Sequence, residues 1–467
     1  MRESCHFYLL PIGGIGTTAL AGLLTEKGFR VAGVDSTLYP PASDFLAQLP
    51  IRVRLGFEPA LLPLVEQAVV IGNAVPASNP EVQEVLRQRL PYLAQAQCLG
   101  ELFCRGKKTV VVAGTHGKTT TTALTTHVFT QAGLDPTAFI GGVPRGGRPW
   151  RLGKGEWTVV EGDEYNTAFF DKGPKFLHYY PFFFVVNNVE FDHGDLYPSL
   201  DAILAAFRAG VARVRSDGWV IANADDEGAR QVAKGLKRVV WYGISPKADV
   251  CCLRFGHENG ELTASLRFQG GEMAVRVPLV GIHNLSNVLA CVAASLLAGI
   301  APSRVQEALA SFPGVRRRLE ILGEAQGITV VDDFAHHPTA VKLTLEGARF
   351  RFPGRRIVVA FEPRSLTAGC KEFFPLYQQA FRAAEVVIVA PFFHRNRLAP
   401  DQLLDRQELV RELAAQGIGT ALVEDGADTL GTVLPLLRPG DVFIAMSSGD
   451  FGSLPVKVLR SLRGEVP

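Results

Sequence analysis

The eight residues Ala113-Gly114-Thr115-His116-Gly117-Lys118-Thr119-Thr120 follow the apolar run Thr109–Ala113 directly and open a stretch with the pattern of a helix. At such a junction, backbone N–H groups without side-chain cover can wrap a polyphosphate, because the first amides of a helix lack intrahelical acceptors and its dipole favours an anion. Lys118 would neutralise the outer phosphates, and a hydroxyl from Thr119 or Thr120 suits a Mg²⁺ ion shared with their oxygens. The strict pattern G-x-x-x-x-G-K-[ST] asks for glycine at 112, where the chain has Val112, so the match is to a shortened loop. Past the next apolar run, Glu161-Gly162-Asp163-Glu164 supplies acids that could ligate that metal, provided the strands are parallel and their carboxyl ends share a rim. Taken singly, Asp163 and Glu164 also read as a solvated turn.

Further strand ends repeat the theme. Asn187-Asn188-Val189-Glu190-Phe191-Asp192-His193 finishes with Asp and His side by side, and His193 could hold or orient a second metal. His283 to Asn287 begins an apolar helix and could be a plain N-cap. Asp332-Asp333-Phe334-Ala335-His336-His337-Pro338 is dense in titratable groups. Glu362-Pro363-Arg364-Ser365 carries a cation that could anchor a carboxylate or phosphate, or form an exposed ion pair. Near the start, Pro11-Ile12-Gly13-Gly14-Ile15-Gly16 precedes a helix, with Asp35 about twenty residues on, where a ribose-binding acid would stand. Pro11 breaks G-x-G-x-x-G at its first glycine, so ligand binding and mere close packing of helix on strand both remain open.

The elements that must position these groups follow a βα rhythm. Apolar runs at His6–Leu10, Arg30–Val34 and Ala68–Ile71 alternate with amphipathic stretches, and a second series continues through Thr109–Ala113, Trp157–Glu161, Phe182–Asn187 and Trp219–Ala222. Val250–Leu279 is expected to be a small antiparallel insert turning at Glu258-Asn259-Gly260. After Pro313-Gly314 and Arg316-Arg317-Arg318 the alternation restarts with Thr329–Val331, Ile357–Phe361, Val386–Val389 and Asp441–Met446. The 467 residues suit roughly three domains at about 150 each, of class α/β, with boundaries expected at 1–106, 107–314 and 315–467. With 48 Lys+Arg against 46 Asp+Glu, the chain lacks the broad positive field of a nonspecific nucleic-acid binder. Seven cysteines without C-x-x-C spacing fit a reducing cytoplasm better than a disulfide framework. The uncharged stretch Phe7–Leu24 holds Pro11 and several glycines, so strand, turn and helix are expected there in place of a membrane span or signal peptide.

In this order along the chain, the Gly114–Thr120 loop, Glu161–Glu164, Asn188–His193, His283–Asn287, Arg316–Arg318 and Asp332–Pro338 resemble the signature of the Mur ligases. The resemblance implies an amino-terminal Rossmann-like domain for a UDP-sugar, a central P-loop ATPase and a carboxy-terminal Rossmann-like domain that brings the amine. It implies ATP and Mg²⁺, and amide formation through an acyl phosphate. Lys118, Glu161, His193 and Arg318 would then act in catalysis, with Thr119, Thr120, Glu161 and His193 at the metals. The loop from Gly114 through Thr115, His116 and Gly117, with Asn287, Arg318 and Asp333, would hold ATP. Gly13, Gly14, Ile15, Gly16, Asp35, Asn73, His116 and Asn188 would face the UDP-sugar, and Phe334, His336, His337 and Arg364 the amine. The His-Gly-Lys loop and double histidine resemble the branch that acts directly on UDP-N-acetylmuramate. Asp333–His337, Glu164–Lys172 and Glu362–Ser365 resemble its member that attaches the recycled tripeptide L-alanyl-γ-D-glutamyl-meso-diaminopimelate. The alternative is the L-alanine-adding member, and a more distant one is an NTPase that hydrolyses without ligating. Phe207 stands where many of the family carry a carbamylated lysine, and Gly162 where alanine is usual.

Overall fold

Short apolar runs bounded by turns become the strands of three main sheets in this computed structural model, which describes residues 4–192, 194, 196–364, 367–393 and 400–466. The first has five parallel strands, β1 (Ser4–Leu10), β2 (Val31–Asp35), β3 (Arg52–Leu55), β4 (Leu64–Ile71) and β5 (Tyr92–Ala94), in the order β3-β2-β1-β4-β5. Strand order changes direction at β1. The turn from β1 into the helix Ile15–Glu26 therefore opens at the crevice where such sheets take ligands.

The central sheet holds β6 (Lys108–Ala113), β7 (Thr137–Phe139), β8 (Trp150–Arg151), β9 (Trp157–Gly162) and, beyond the separate hairpin β10 (Asn166–Ala168) and β11 (Asp171–Pro174), β12 (Pro181–Val186), β13 (Trp219–Asn223) and β14 (Val239–Gly243). β6 lies between β9 and β12, parallel to both, and pairs Ala113 with Gly162 on one side and Val186 on the other. These three strands end level, so residues 114–117, 163–164 and 187–190 emerge on one rim. The expected insert is antiparallel and turns at Asn259-Gly260, but it comprises three strands, β15 (Val250–Glu258), β16 (Glu261–Phe268) and β17 (Gly271–Val277). It also continues the central sheet, because β15 pairs in parallel with β14 and so covers an edge that would leave backbone groups unpaired.

The third sheet runs β18-β19-β23-β20-β21-β22, from β18 (Glu320–Ala325), β19 (Ile328–Asp333), β20 (Ile357–Phe361), β21 (Val386–Val389), β22 (Gly419–Leu422) and β23 (Val442–Met446). Only β18 is antiparallel, and Asp333, Met446 and Phe361 stand level at the carboxyl rim.

One apolar core joins the first two sheets: Phe7, Leu20 and Leu24 belong to the same cluster as Val111, Phe139 and Trp150. The indole of Trp150 fills the space that a Cβ on Gly22 would take, and its Nε1–H donates to Glu26 Oε1 at 3.0 Å. The third sheet packs on two further clusters, one of which takes in Val280 of the central domain. Trp150, 4% exposed, thus fastens the first domain to the second. Trp150→Ala is expected to lower unfolding stability by about 3–5 kcal/mol in urea titrations, with Trp150→Phe closer to the parent.

Candidate active site

Glycine makes the loop after β6 possible. Gly114 and Gly117 adopt φ of 146° and 81°, and a Cβ at Gly117 would collide with Asn287 Oδ1. Around the loop, polar side chains act as struts. Asn188 Oδ1 accepts the His116 N–H at 2.7 Å and its Nδ2 donates to the His116 carbonyl at 3.2 Å, so both ends of this amide shape the loop. Asn187 donates to Thr121 Oγ1 at 3.1 Å, and Asn287 accepts from the same hydroxyl at 3.1 Å. Neither Asn187 nor Thr121 is a candidate site residue on sequence, although Asn187 opens the Asn187–His193 motif.

The helix Lys118–Gln131 starts with the lysine turned back over the loop, donating to the Gly114 carbonyl at 2.7 Å and pairing with Glu164 at 2.9 Å. Glu164 is 3% exposed, which corrects its reading as a solvated turn. Asp163 is likewise engaged, by Lys175 at 3.0 Å. Burial alone would lower the Lys118 ammonium, but Glu164 and Asp163 outweigh it and hold the group above the ordinary lysine range. Thr119 is the threonine brought to the acid: its hydroxyl donates to Glu161 Oε1 at 3.0 Å, while the Gly141 N–H donates to Oε2 at 2.7 Å. Thr120 is buried one residue further on. Burial, reinforced by Asp163, pushes the Glu161 carboxyl up to about 7. A buried carboxylate whose charge burial still disfavours despite these two hydrogen bonds, beside a hydroxyl and a bare amide loop, is a donor set that fits a hard divalent cation. His193 lies outside the described residues. Phe207 is fully buried against Phe176, with ring centroids 5.5 Å apart.

The third sheet brings its own rim to this loop. Arg318 stacks over Phe334 at 5.0 Å and lies within electrostatic reach of Asp333 and Glu161. Asp333 is 3% exposed and accepts from the Leu319 and Ala335 amides at 2.6 and 2.8 Å, which fixes the chain on either side of β19. His337 caps the helix Pro338–Arg351, and its ring centroid is 4.9 Å from that of His116. Burial, aided by the nearby His116, pushes His337 down to about 4. His336 Nδ1 meets the Phe334 carbonyl at 3.0 Å. Arg364 packs over Phe393 at 3.8 Å and pairs with Asp450 at 2.9 Å. In the first domain, the Gly13 N–H donates to Asp35 Oδ2 at 2.7 Å, with Gly14, Ile15 and Gly16 following and exposed Asn73 two residues past β4. Asp35 therefore braces the first loop.

Three family models together cover most of the chain: "Mur ligase family, catalytic domain" matches residues 6–107, "Mur ligase middle domain" 112–295 and "Mur ligase, glutamate ligase domain" 317–449. The chain belongs to the Mur ligase family. Mur ligases are ATP-dependent, ADP-forming amide ligases that work in peptidoglycan synthesis, and this chain is one of them. It is 36% identical to the UDP-N-acetylmuramate–L-alanyl-γ-D-glutamyl-meso-2,6-diaminoheptandioate ligase of Escherichia coli, over 98% of both chains. It is 33% identical to a UDP-N-acetylmuramate–L-alanine ligase of Desulfosudis oleivorans, again over 98% of both. Among solved structures, a murein peptide ligase from Psychrobacter arcticus matches at a TM-score of 0.75 and 29% identity, covering 99% of this chain and all of that one. The three-domain α/β architecture of this Mur ligase is therefore the one expected, and no described helix is long and apolar enough to cross a membrane.

Proposed function

We propose that this Mur ligase joins UDP-N-acetylmuramate to the tripeptide L-alanyl-γ-D-glutamyl-meso-diaminopimelate at the expense of ATP, in the recycling of peptidoglycan. The observation that carries the reading is full-length likeness to tripeptide ligases, at 36% and 34% identity, in a chain with Glu362-Pro363-Arg364 at a strand end of the third domain. Arg364 holds Asp450, which is 51% exposed, a pair that can open to admit a substrate carboxylate.

A carboxylate resists amines until one oxygen becomes a leaving group. In the proposed reaction a carboxylate oxygen of the sugar's lactyl group attacks the γ-phosphorus of ATP and ADP departs, leaving an acyl phosphate. The peptide nitrogen then bonds to the carbonyl carbon, inorganic phosphate leaves and the nitrogen gives up a proton. Lys118 and the loop amides hold the outer phosphates, for which Lys118 exchanges its contact with Glu164. Thr119 and Glu161 are the residues that would hold Mg²⁺, which supplies charge neutralisation at the transferred phosphoryl group. Arg318, reaching from the third domain, steadies the charge of the tetrahedral intermediate. The first loop, Gly13 to Gly16 with Asp35 and Asn73, holds the UDP-sugar, and Phe334, His336 and Arg364 line the approach of the amine. Bringing the third domain down excludes water that would hydrolyse the acyl phosphate.

The second reading is the L-alanine ligase, favoured by matches to several such enzymes at 33–34% identity. Phosphate release from ATP with Mg²⁺ and UDP-N-acetylmuramate, compared between tripeptide and L-alanine with product mass confirmed, separates the two. Conjugate formed with tripeptide and none with L-alanine is the expected result, and conjugate with L-alanine assigns the second reading. Turnover indifferent to the sugar would overturn both.

A further inference from the structure

A second cluster of donors shares no residue with the Thr119–Glu161 pair. His116 in the phosphate loop, Glu190 beyond β12 and His337 at the head of the helix Pro338–Arg351 each offer one ligand atom, and these atoms lie within 4.8 Å of one another. His116 Nε2 and Glu190 Oε2 are 3.6 Å apart, an ion pair when the imidazole is protonated, and close to the separation of two ligands on one metal, roughly 3.4 Å for bonds near 2.1 Å at a tetrahedral centre. His337 is 3% exposed, and its Nε2 and that of His116 are both buried without a hydrogen-bond partner. His116 has the Glu190 carboxylate as an ion-pair partner, whereas the buried His337 Nε2 is costly unless something binds it.

We propose that His116, Glu190 and His337 form a binding site for a divalent transition-metal ion of the Zn²⁺ class, separate from the Mg²⁺ site, which fastens the third domain to the phosphate loop. Two imidazoles and one carboxylate select a softer ion than Mg²⁺, and three protein ligands leave a coordination position open to water or an oxygen anion. The surroundings aim the ligands. Thr339 donates its hydroxyl to Glu190 Oε2 at 3.0 Å, and its amide faces His337 Nδ1 at 3.3 Å, leaving Nε2 toward the cluster. Asn188 grips the His116 backbone from both sides. Ligation through Nε2 places the His337 ring proton on Nδ1, so the long Thr339 amide contact is exchanged for a metal bond. Because His116 and Glu190 belong to the central domain and His337 to the third, the ion binds best when the two are together.

Co²⁺ is the probe, titrated into the full-length protein without Mg²⁺ and read by its visible absorption, with circular dichroism confirming that each variant is folded. One equivalent is expected to give the intense bands of low-coordinate Co²⁺, which Zn²⁺ displaces. His337→Gln, or the more exposed Glu190→Gln should the first fail to fold, is expected to weaken binding at least ~100-fold, since loss of supporting contacts alone costs 10–100-fold. Glu161→Gln is expected to leave it unchanged. No stoichiometric band, a band that survives both ligand substitutions in folded protein, or one abolished by Glu161→Gln would overturn the assignment.

Discussion

Lys118→Met is expected to lower ligase turnover about 100- to 1,000-fold, the loss associated with removing a donor aimed at charge developing in a transition state. Its second effect is structural. The ammonium is buried and lies 2.9 Å from Glu164, itself 3% exposed, so the single substitution leaves a carboxylate without its counterion. Breaking a buried pair from one side costs about 3–5 kcal/mol. Glu164→Gln added to Lys118→Met is therefore expected to restore most of the stability and none of the activity. Urea titration beside single-turnover measurement of ADP formation tests both halves. Activity that returns with stability would show that Lys118 serves folding and not phosphate.

The second large effect is expected at Glu161→Gln, and its two consequences have opposite signs. The amide still accepts at one oxygen, so the contact with either the Gly141 N–H or the Thr119 hydroxyl can persist. What disappears is a buried negative charge whose carboxyl burial has pushed up to about 7. The variant is expected to be as stable as the parent or more so, because that charge is poorly compensated in the protein alone. Turnover is expected to fall by about 100- to 1,000-fold, and the Mg²⁺ concentration for half-maximal activity to rise at least ~10-fold, since a neutral amide is a weaker ligand for a hard cation. Steady-state rates across a Mg²⁺ series decide it. An unchanged Mg²⁺ requirement would place the metal elsewhere.

Much of this organisation is written locally. β-branched runs such as Val110-Val111-Val112 and Ile357-Val358-Val359, bounded by turn residues, read as buried strands, and both appear as such. Strands with polar alternation, such as Arg52-Val53-Arg54-Leu55 at the sheet edge, carried too little apolar signal to be read. Lys118 and Glu161 could be nominated because parallel strands of one sheet deliver their carboxyl ends to a common rim, and residue type plus strand position then suffices. The conformation of those groups was a different matter. That Lys118 is held by Glu164, that Thr119 is the threonine on Glu161, and that Asn187 and Asn188 strut the loop depend on rotamers and on how the rim closes over itself. Glu190 meets Thr339 across 149 residues because a third sheet docks against the second, sharing a core through Val280. The sequence determined which chemistry each strand end could offer, since apolar periodicity and turn residues act over a few positions. Only the tertiary structure decided which of those ends meet, because contacts between domains arise from packing that no local pattern encodes.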